Sequence, residues 1–346
     1  MQTRPQPAHH AFSTLPIELF LHVLDQLVNT RTGHPPIALA PTDPTTQALR
    51  ALTLVSRAIY PIASRYLYTH CLYLDNCTSF ARFRRTLGLP LWDSHPEALA
   101  YGQAGRNEAL FVGAGVPRYL TALFLSPHRT RKCGNAPMVR LPQVIDLCGA
   151  VGATLRRLAM DLGPVYASPS EVEAARPLGR DGGVLGGMVC LEEMVCSFDV
   201  ADCFPDAPPN LKRLAITSQG LRGEEALVRF CFGVLSLEVL VFLRPAEMEA
   251  ADVNVLFEKY MGRHLDVVLV DVNANHVTPE WTRDWTEEDR VTVWEVDVPK
   301  SYYGDDEDLI LCDHWLWTHG VRGTLFTQEK RRMESWSQAR AKSAIV

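Results

Sequence analysis

Leu211-Lys212-Arg213-Leu214-Ala215-Ile216 carries aliphatic side chains at its first, fourth and sixth positions, and that spacing recurs along the chain. Leu120-Leu123-Leu125, Leu155-Leu158-Met160 and Leu191-Met194-Cys196 precede it, and Leu237-Leu240-Phe242, Leu265-Val268-Val270 and Val291-Trp294-Val296 follow. The steps between first anchors run from 20 to 36 residues. Residues two apart share a face of a strand, so each unit reads as a short strand turned to a core. Leu141 to Val151, Gly220 to Leu235 and Ala246 to Met261 lie between units and repeat apolar residues at three- and four-residue steps, the helical period. Strand and helix in alternation imply parallel strands, and repetition implies stacking of like units. The fold class is α/β, as a curved and irregular solenoid; a plain α/β domain with a parallel sheet is the alternative. Pro164 to Gly187 carries no such pattern and reads as a loop inside the array.

Upstream of the repeats the pattern changes to helices. From Ile17 to Val28 the polar residues are Glu18, His22, Asp25 and Gln26, which at roughly 100° per residue fall within about a third of the circumference. The apolar remainder is wider than one core requires, so this helix is expected to be buried on two sides, by its own domain and by something else. Ser13 or Thr14 is placed to cap it, Pro16 suits the first turn and Glu18 complements the helix dipole. Gln47 to Ile59 is a second helix, with Leu49, Leu52, Val55 and Ile59 on one stripe. Pro61 breaks it or opens a third, Ile62 to Tyr68.

Leu15-Pro16-Ile17-Glu18-Leu19 and Leu52-Thr53-Leu54-Val55-Ser56-Arg57, in three short helices, resemble the F-box, a module that docks a protein onto a ubiquitin-ligase scaffold. The resemblance covers about one-sixth of the chain. It implies that Leu15, Pro16, Glu18, Leu19, Val23, Leu24, Leu27, Leu52 and Val55 meet a Skp-family adaptor, and through it a cullin. Two features depart from the family: Ile59 stands where Trp is frequent, and Asn29 to Thr46 is a long, Pro- and Thr-rich link. Loops accept such insertions at modest entropic cost, so the link reads as a decoration. The irregular repeat resembles the divergent leucine-rich-repeat regions that follow F-boxes, particularly in fungal proteins. The organisation expected is a disordered tail at 1–12, an F-box-like module at 13–85 with the inserted loop at 29–46, and a repeat domain at 86–346 that holds a protein target and ends in a cap. The alternative for the first module is two ordinary core helices of a larger helical domain.

Composition fits an intracellular protein, cytoplasmic or nuclear. Apolar content of 47% and charged content of 21% are ordinary for a globular chain. The net charge of −6 argues against a general nucleic-acid binder. The longest apolar run, Val234 to Leu243, is short and interrupted by Glu238, so no membrane association is expected. Nine cysteines, scattered mostly through apolar segments, read as buried thiols. Cys190, Cys196 and Cys203 match no metal knuckle, and no metal or cofactor is expected.

The residues between anchors are where a target would be read. Arg156-Arg157, Glu192-Glu193 and Lys212-Arg213 alternate in sign, as cross-strand pairs do. Further along, Val239, Val241, Val267 and Leu269 are apolar at positions that the repeat turns outward. They are therefore expected, with Asp271, to form the target site, unless the C-terminal segment covers them; six of the seven tryptophans lie beyond Glu280. Phe326 to Ala341 reads as a closing amphipathic helix.

No catalytic constellation is evident. There is no G-x-S-x-G, Walker A or H-E-x-x-H sequence, and Gly182 to Gly187 lacks the lysine of a phosphate loop. Asp313-His314 is an adjacent pair whose side chains diverge in a strand. The expected function is an F-box substrate receptor, not an enzyme; a repeat scaffold without a ligase and an unrecognised intracellular enzyme are the alternatives.

Overall fold

The computed structural model describes residues 16–29, 34–89, 116–128, 138–163, 165, 183–204, 206–219, 225–243, 255–271, 286, 288–298 and 308–333. They form a mixed α/β fold around one nine-stranded sheet. Its strands are β1 (Tyr73–Leu74), β2 (Ala122–Leu125), β3 (Arg157–Met160), β4 (Glu193–Ser197), β5 (Arg213–Gln219), β6 (Val239–Leu243), β7 (Leu265–Asp271), β8 (Val291–Asp297) and β9 (Arg331–Arg332). Their order in the sheet is their order in the chain. β1 to β8 pair in parallel and β9 closes the far edge antiparallel. The helices are α1 (Ile17–Val28), α2 (Pro44–Leu52), α3 (Ile59–His70), α4 (Cys77–Thr86), α5 (Leu141–Val151), α6 (Gly183–Gly186), α7 (Asp199–Cys203), α8 (Glu225–Phe232), α9 (255–258) and α10 (Asp308–Val321).

Alternation along each strand divides the core in two. Leu123, Leu158, Met194, Leu214 and Leu240 point to the side where α4, α5, α7 and α8 pack, in one continuous apolar cluster. Ala122, Phe124, Ala159, Val195, Ala215 and Val241 point to the other side and lie under Trp315, Leu316 and Trp317 of α10. Small side chains on β2, β3 and β5 leave room for these large ones. Gly320 permits the approach: a Cβ there would stand 2.9 Å from both methyls of Val195. The sheet is thus buried on both faces, which matches its near-continuous apolar strands.

The repeat frame holds to β6 and then slips. Leu158, Met194, Leu214 and Leu240 form one row, which continues into Val267 and Val293. The expected anchors Val268, Val270, Trp294 and Val296 instead face α10's side. A shift of one residue exchanges the two faces of a strand, so Val267 and Leu269 join the helix-side core.

The N-terminal helices have their own small core of Phe20, Leu24, Val28 and Leu49, flanked by Leu52, Ile59, Ile62, Tyr66 and Leu67. α2 starts at Pro44, earlier than the sequence predicts, because Asp43 caps it: its Oδ1 accepts the Thr45 N–H at 2.8 Å. It also ends earlier, at Leu52, where the Thr53 hydroxyl donates to the Arg50 carbonyl at 2.7 Å. The Ser56 Oγ then accepts the Ile59 N–H at 3.2 Å, so Val55-Ser56-Arg57 forms the turn into α3, and Pro61 lies in that helix's first turn. Ser13, Thr14 and the 1–12 tail lie outside the described residues.

Two expectations about organisation are corrected. β1 and α4 precede residue 86, yet β1 pairs with β2, and Leu72, Leu74, Cys77, Phe80 and Phe83 belong to the helix-side core. The sheet's first unit therefore starts near Leu72. Asn76 fixes α4 through a capping box with Ser79. The link between α1 and α2 is also no decoration. Ile37 and Ala38 are buried beneath α10, and the Ile37 N–H donates to the Val321 carbonyl at 2.8 Å. Arg157 donates to the carbonyls of Pro35 and Pro36. Gly323, with φ +72°, lets the turn after α10 pass this segment; a Cβ would stand 2.6 Å from the Pro35 carbonyl oxygen.

The closing segment also differs. Leu325–Thr327 is a 3-10 turn and Arg331–Arg332 is β9, so no α-helix starts at Phe326; the rest of the expected helix, 334–341, lies outside the described residues. Lys330 meets Asp266 at 2.6 Å, and Arg331 pairs with the buried Glu295. These contacts hold Lys330 and Arg331 against β7 and β8.

His70 ends α3 at the junction with the sheet. Burial first, and the Arg157 charge second, push its pKa down to about 4. The unfolded value is about 6.5, so the fold favours neutral imidazole. Its contribution is complete above about pH 6.5 and is lost as pH falls towards 4. His70→Gln is expected to flatten the decline in melting temperature across that window, measured by thermal melts at half-unit steps. An unaltered slope would place the acid sensitivity in other groups.

Candidate functional site

α1 presents two adjacent apolar stripes. Phe20, Leu24 and Val28, at four-residue steps, face the small core. Leu19, Val23 and Leu27, one position earlier at each step, are 53%, 57% and 37% exposed. The polar face with Glu18, His22 and Asp25 lies beyond them. Asp25 accepts a hydrogen bond from the Tyr66 hydroxyl, which orients α1 on α3. Burial and this carboxylate push the Tyr66 pKa up to about 12, so the hydroxyl remains a donor.

On the α2–α3 turn Leu54 and Val55 stand out, 87% and 53% exposed, with Tyr60 nearby in sequence at 42%. Of the twelve large apolar side chains exposed among the described residues, seven lie between Ile17 and Tyr60. Among the described residues, uncovered apolar surface is thus concentrated on this module, and surface of that kind marks an interaction site.

Most of the adaptor-facing set drawn from the sequence is therefore accessible. Pro16 and Glu18 are exposed beside Leu19, Val23, Leu27 and Val55. Leu24 is corrected: it is 1% exposed and belongs to the module's own core. Leu52 packs partly against that core. Leu15 lies outside the described residues. The exposure of Leu54 and Tyr60 was missed, although Leu54 stands inside the quoted motif.

The target site expected on β6 and β7 is overturned. Val241 is 2% exposed beneath α10; Val267 and Leu269 are fully buried on the helix side. Val239 is half-buried against the α10 side. Asp271 pairs with Asp297 along the backbone, and its side chain lies outside the described residues. The alternating charges are structural. Glu193 is buried and takes Arg213 at 3.0 Å, and Lys212 stands 3.6 Å from Glu192. Arg157 is the strand neighbour of Glu193.

Two concavities are formed by described residues. A groove of about 930 Å³ crosses the N-terminal ends of β5 to β8, where Lys212, Leu235, Glu238, Met261, Arg263 and Arg290 line it. A smaller cleft of about 310 Å³ lies at the opposite ends of β3 to β5 and includes Asp161, Ser197, Asp199, Thr217 and His314. His314 stands on α10, so Asp313-His314 is helical and not extended. Two of these polar groups tie strand ends together. Asp161 accepts from the Ser126 hydroxyl at 2.9 Å, and the Ser197 Oγ accepts the Leu162 N–H at 3.1 Å.

Cys148, Cys196 and Cys231 are fully buried thiols whose pKa values burial raises, to about 12 for Cys148 and Cys231. Cys190 is exposed and Cys203 half-buried. No group of three or more His, Cys, Asp or Glu residues suited to a metal occurs among the described residues. Residues 183–186 of the glycine-rich run form one helical turn, α6. No helix among the described residues is long and apolar enough to cross a membrane. No protein-family model matches the chain, and no curated protein is significantly similar to it.

Proposed function

We propose that this protein is the substrate-recognition subunit of an SCF-type cullin-RING ubiquitin ligase. Its N-terminal helices act as an F-box that docks a Skp-family adaptor, and its strand–helix array is a leucine-rich-repeat-like solenoid that holds a protein target. The chain carries no catalytic step itself, and it needs no cofactor. It works in the cytoplasm or nucleus.

The observation that carries this reading is the second apolar stripe on α1. A short helix with a filled core face gains nothing by presenting Leu19, Val23 and Leu27 to water, and it gains about 25 cal/mol per Å² by covering them. Leu54 and Val55 are exposed as well, on the turn that resembles the family's Val-Ser-Arg step. The sequential parallel order of β1 to β8, with helices returning on one side, is the arrangement a solenoid of stacked units requires. A scaffold without ligase function explains the array equally well but leaves the α1 stripe without a purpose. Co-expression of the tagged chain with a Skp-family adaptor and a cullin tests the assignment. A stoichiometric ternary complex on size exclusion is expected; elution of the chain alone contradicts it.

A further inference from the structure

We propose that the groove at the N-terminal ends of β5 to β8 is the target-reading surface, and that its occupant is an extended protein segment with an apolar side chain next to carboxylates. This deepens the receptor reading and rests on it only for calling the occupant a target.

The face of the sheet that the sequence turned towards a target is closed by α10, so recognition falls to the loops. The loops before β5, β6, β7 and β8 contribute Lys212, Leu235 to Glu238, Tyr260 to His264 and Arg290 to a single groove. Neighbouring strands are about 4.8 Å apart, so three strand steps span roughly 14 Å, the length of four or five extended residues.

The chemistry of the groove is graded along that line. Leu235 and Met261, 65% and 67% exposed, form an apolar step at the β6–β7 end. Exposed leucine and methionine side by side in a concavity suit a flexible apolar anchor. Arg263 and Arg290 stand before β7 and β8, and neither has an ion-pair partner among the described residues. The other charges are mostly committed. Lys212 is near Glu192, and Asp266 is held by Lys330 at 2.6 Å and His264 at 3.2 Å. Glu238 is exposed before β6 and disfavours an acid at that step. Two unspent guanidinium groups on a chain of net charge −6 therefore select carboxylates towards β8, next to an apolar residue over Met261.

The test uses the full chain as bait against a displayed library of random dodecapeptides, beside the variants Arg263→Glu/Arg290→Glu and Met261→Asp. All three positions are exposed, and thermal melts check that each variant keeps the wild-type melting temperature. The wild type is expected to enrich peptides with an apolar residue flanked on one side by Asp or Glu. The arginine variant should lose that consensus, and the methionine variant should lose its apolar position. A synthetic consensus peptide should bind the arginine variant at least tenfold more weakly by fluorescence anisotropy, and the wild type more weakly as salt is raised. No enrichment, a basic or uncharged consensus, or enrichment unaltered in both variants would overturn the proposal. Adaptor binding by the same preparations separates the two readings. If peptides bind and the adaptor does not, the ligase assignment fails and the groove stands.

Discussion

Replacing Leu19 and Val23 together by Asp is expected to weaken binding of a Skp-family adaptor at least a hundredfold. Each side chain is a little over half exposed, so a partner could remove roughly half of its surface from water. Full burial of such a side chain is worth about 1.5–3 kcal/mol, and half of that is roughly 0.75–1.5 kcal/mol per residue. Placing a carboxylate in a dry contact costs at least as much again. The sum passes the roughly 2.8 kcal/mol that two factors of ten require. The change is on the surface, so the melting temperature should move little. Leu24→Asp is the contrasting case: it places a charge in the module's own core and should unfold α1 to α3. Isothermal titration with purified adaptor, with circular dichroism as the folding check, gives the answer. Wild-type affinity in the Leu19/Val23 variant would remove the basis of the docking assignment.

A fragment covering residues 86–346 is expected not to fold, although the sequence alone implies that the repeats are a module separable at that point. The cut removes Leu72, Leu74, Cys77, Phe80 and Phe83 from the helix-side core, and Ile37 and Ala38 from beneath α10. At about 1.5–3 kcal/mol for each large side chain, the loss is roughly 10 kcal/mol, comparable with the whole stability of a domain. It also strips the edge from β2, which invites aggregation. A fragment that starts at residue 34 keeps all of these groups. Thermal melts of the two should show a cooperative transition only in the longer one. A cooperative melt of the 86–346 fragment would show that the first unit is dispensable.

Local pattern was enough to read some elements and not others. The two-sided character of α1 was plain because a helix spreads its side chains around a circle, and the apolar arc was too wide for one core. The strands β2 to β6 were found by their alternating anchors. The phase of β7 was not, because Leu265, Val267, Val268, Leu269 and Val270 are apolar at both parities. A strand buried on both faces has no alternation, so only its neighbours define its register. The target residues assigned to β7 failed for that reason, and those on β6, correctly phased, because α10 covers their face. β1 escaped because two residues make no period, although Leu72-Tyr73-Leu74 does alternate. The burial of Ile37 and Ala38 carries no local signal, since two apolar residues among prolines resemble any loop. The partner of Ile37 lies at the other end of the chain. Of the groove, the sequence displayed Arg263, Arg290 and Met261 only as isolated surface residues; the strand order makes them neighbours.

The hydrogen bond from Ile37 to Val321 has a temporal side. The two residues are separated by 284 positions, and the ribosome adds about 5–20 residues per second, so roughly 15–60 s pass between them. Throughout that interval Ile37 and the α10 face of each finished strand have no cover. The growing chain therefore emerges as an open array with one bare flank, and α10 sutures it shut.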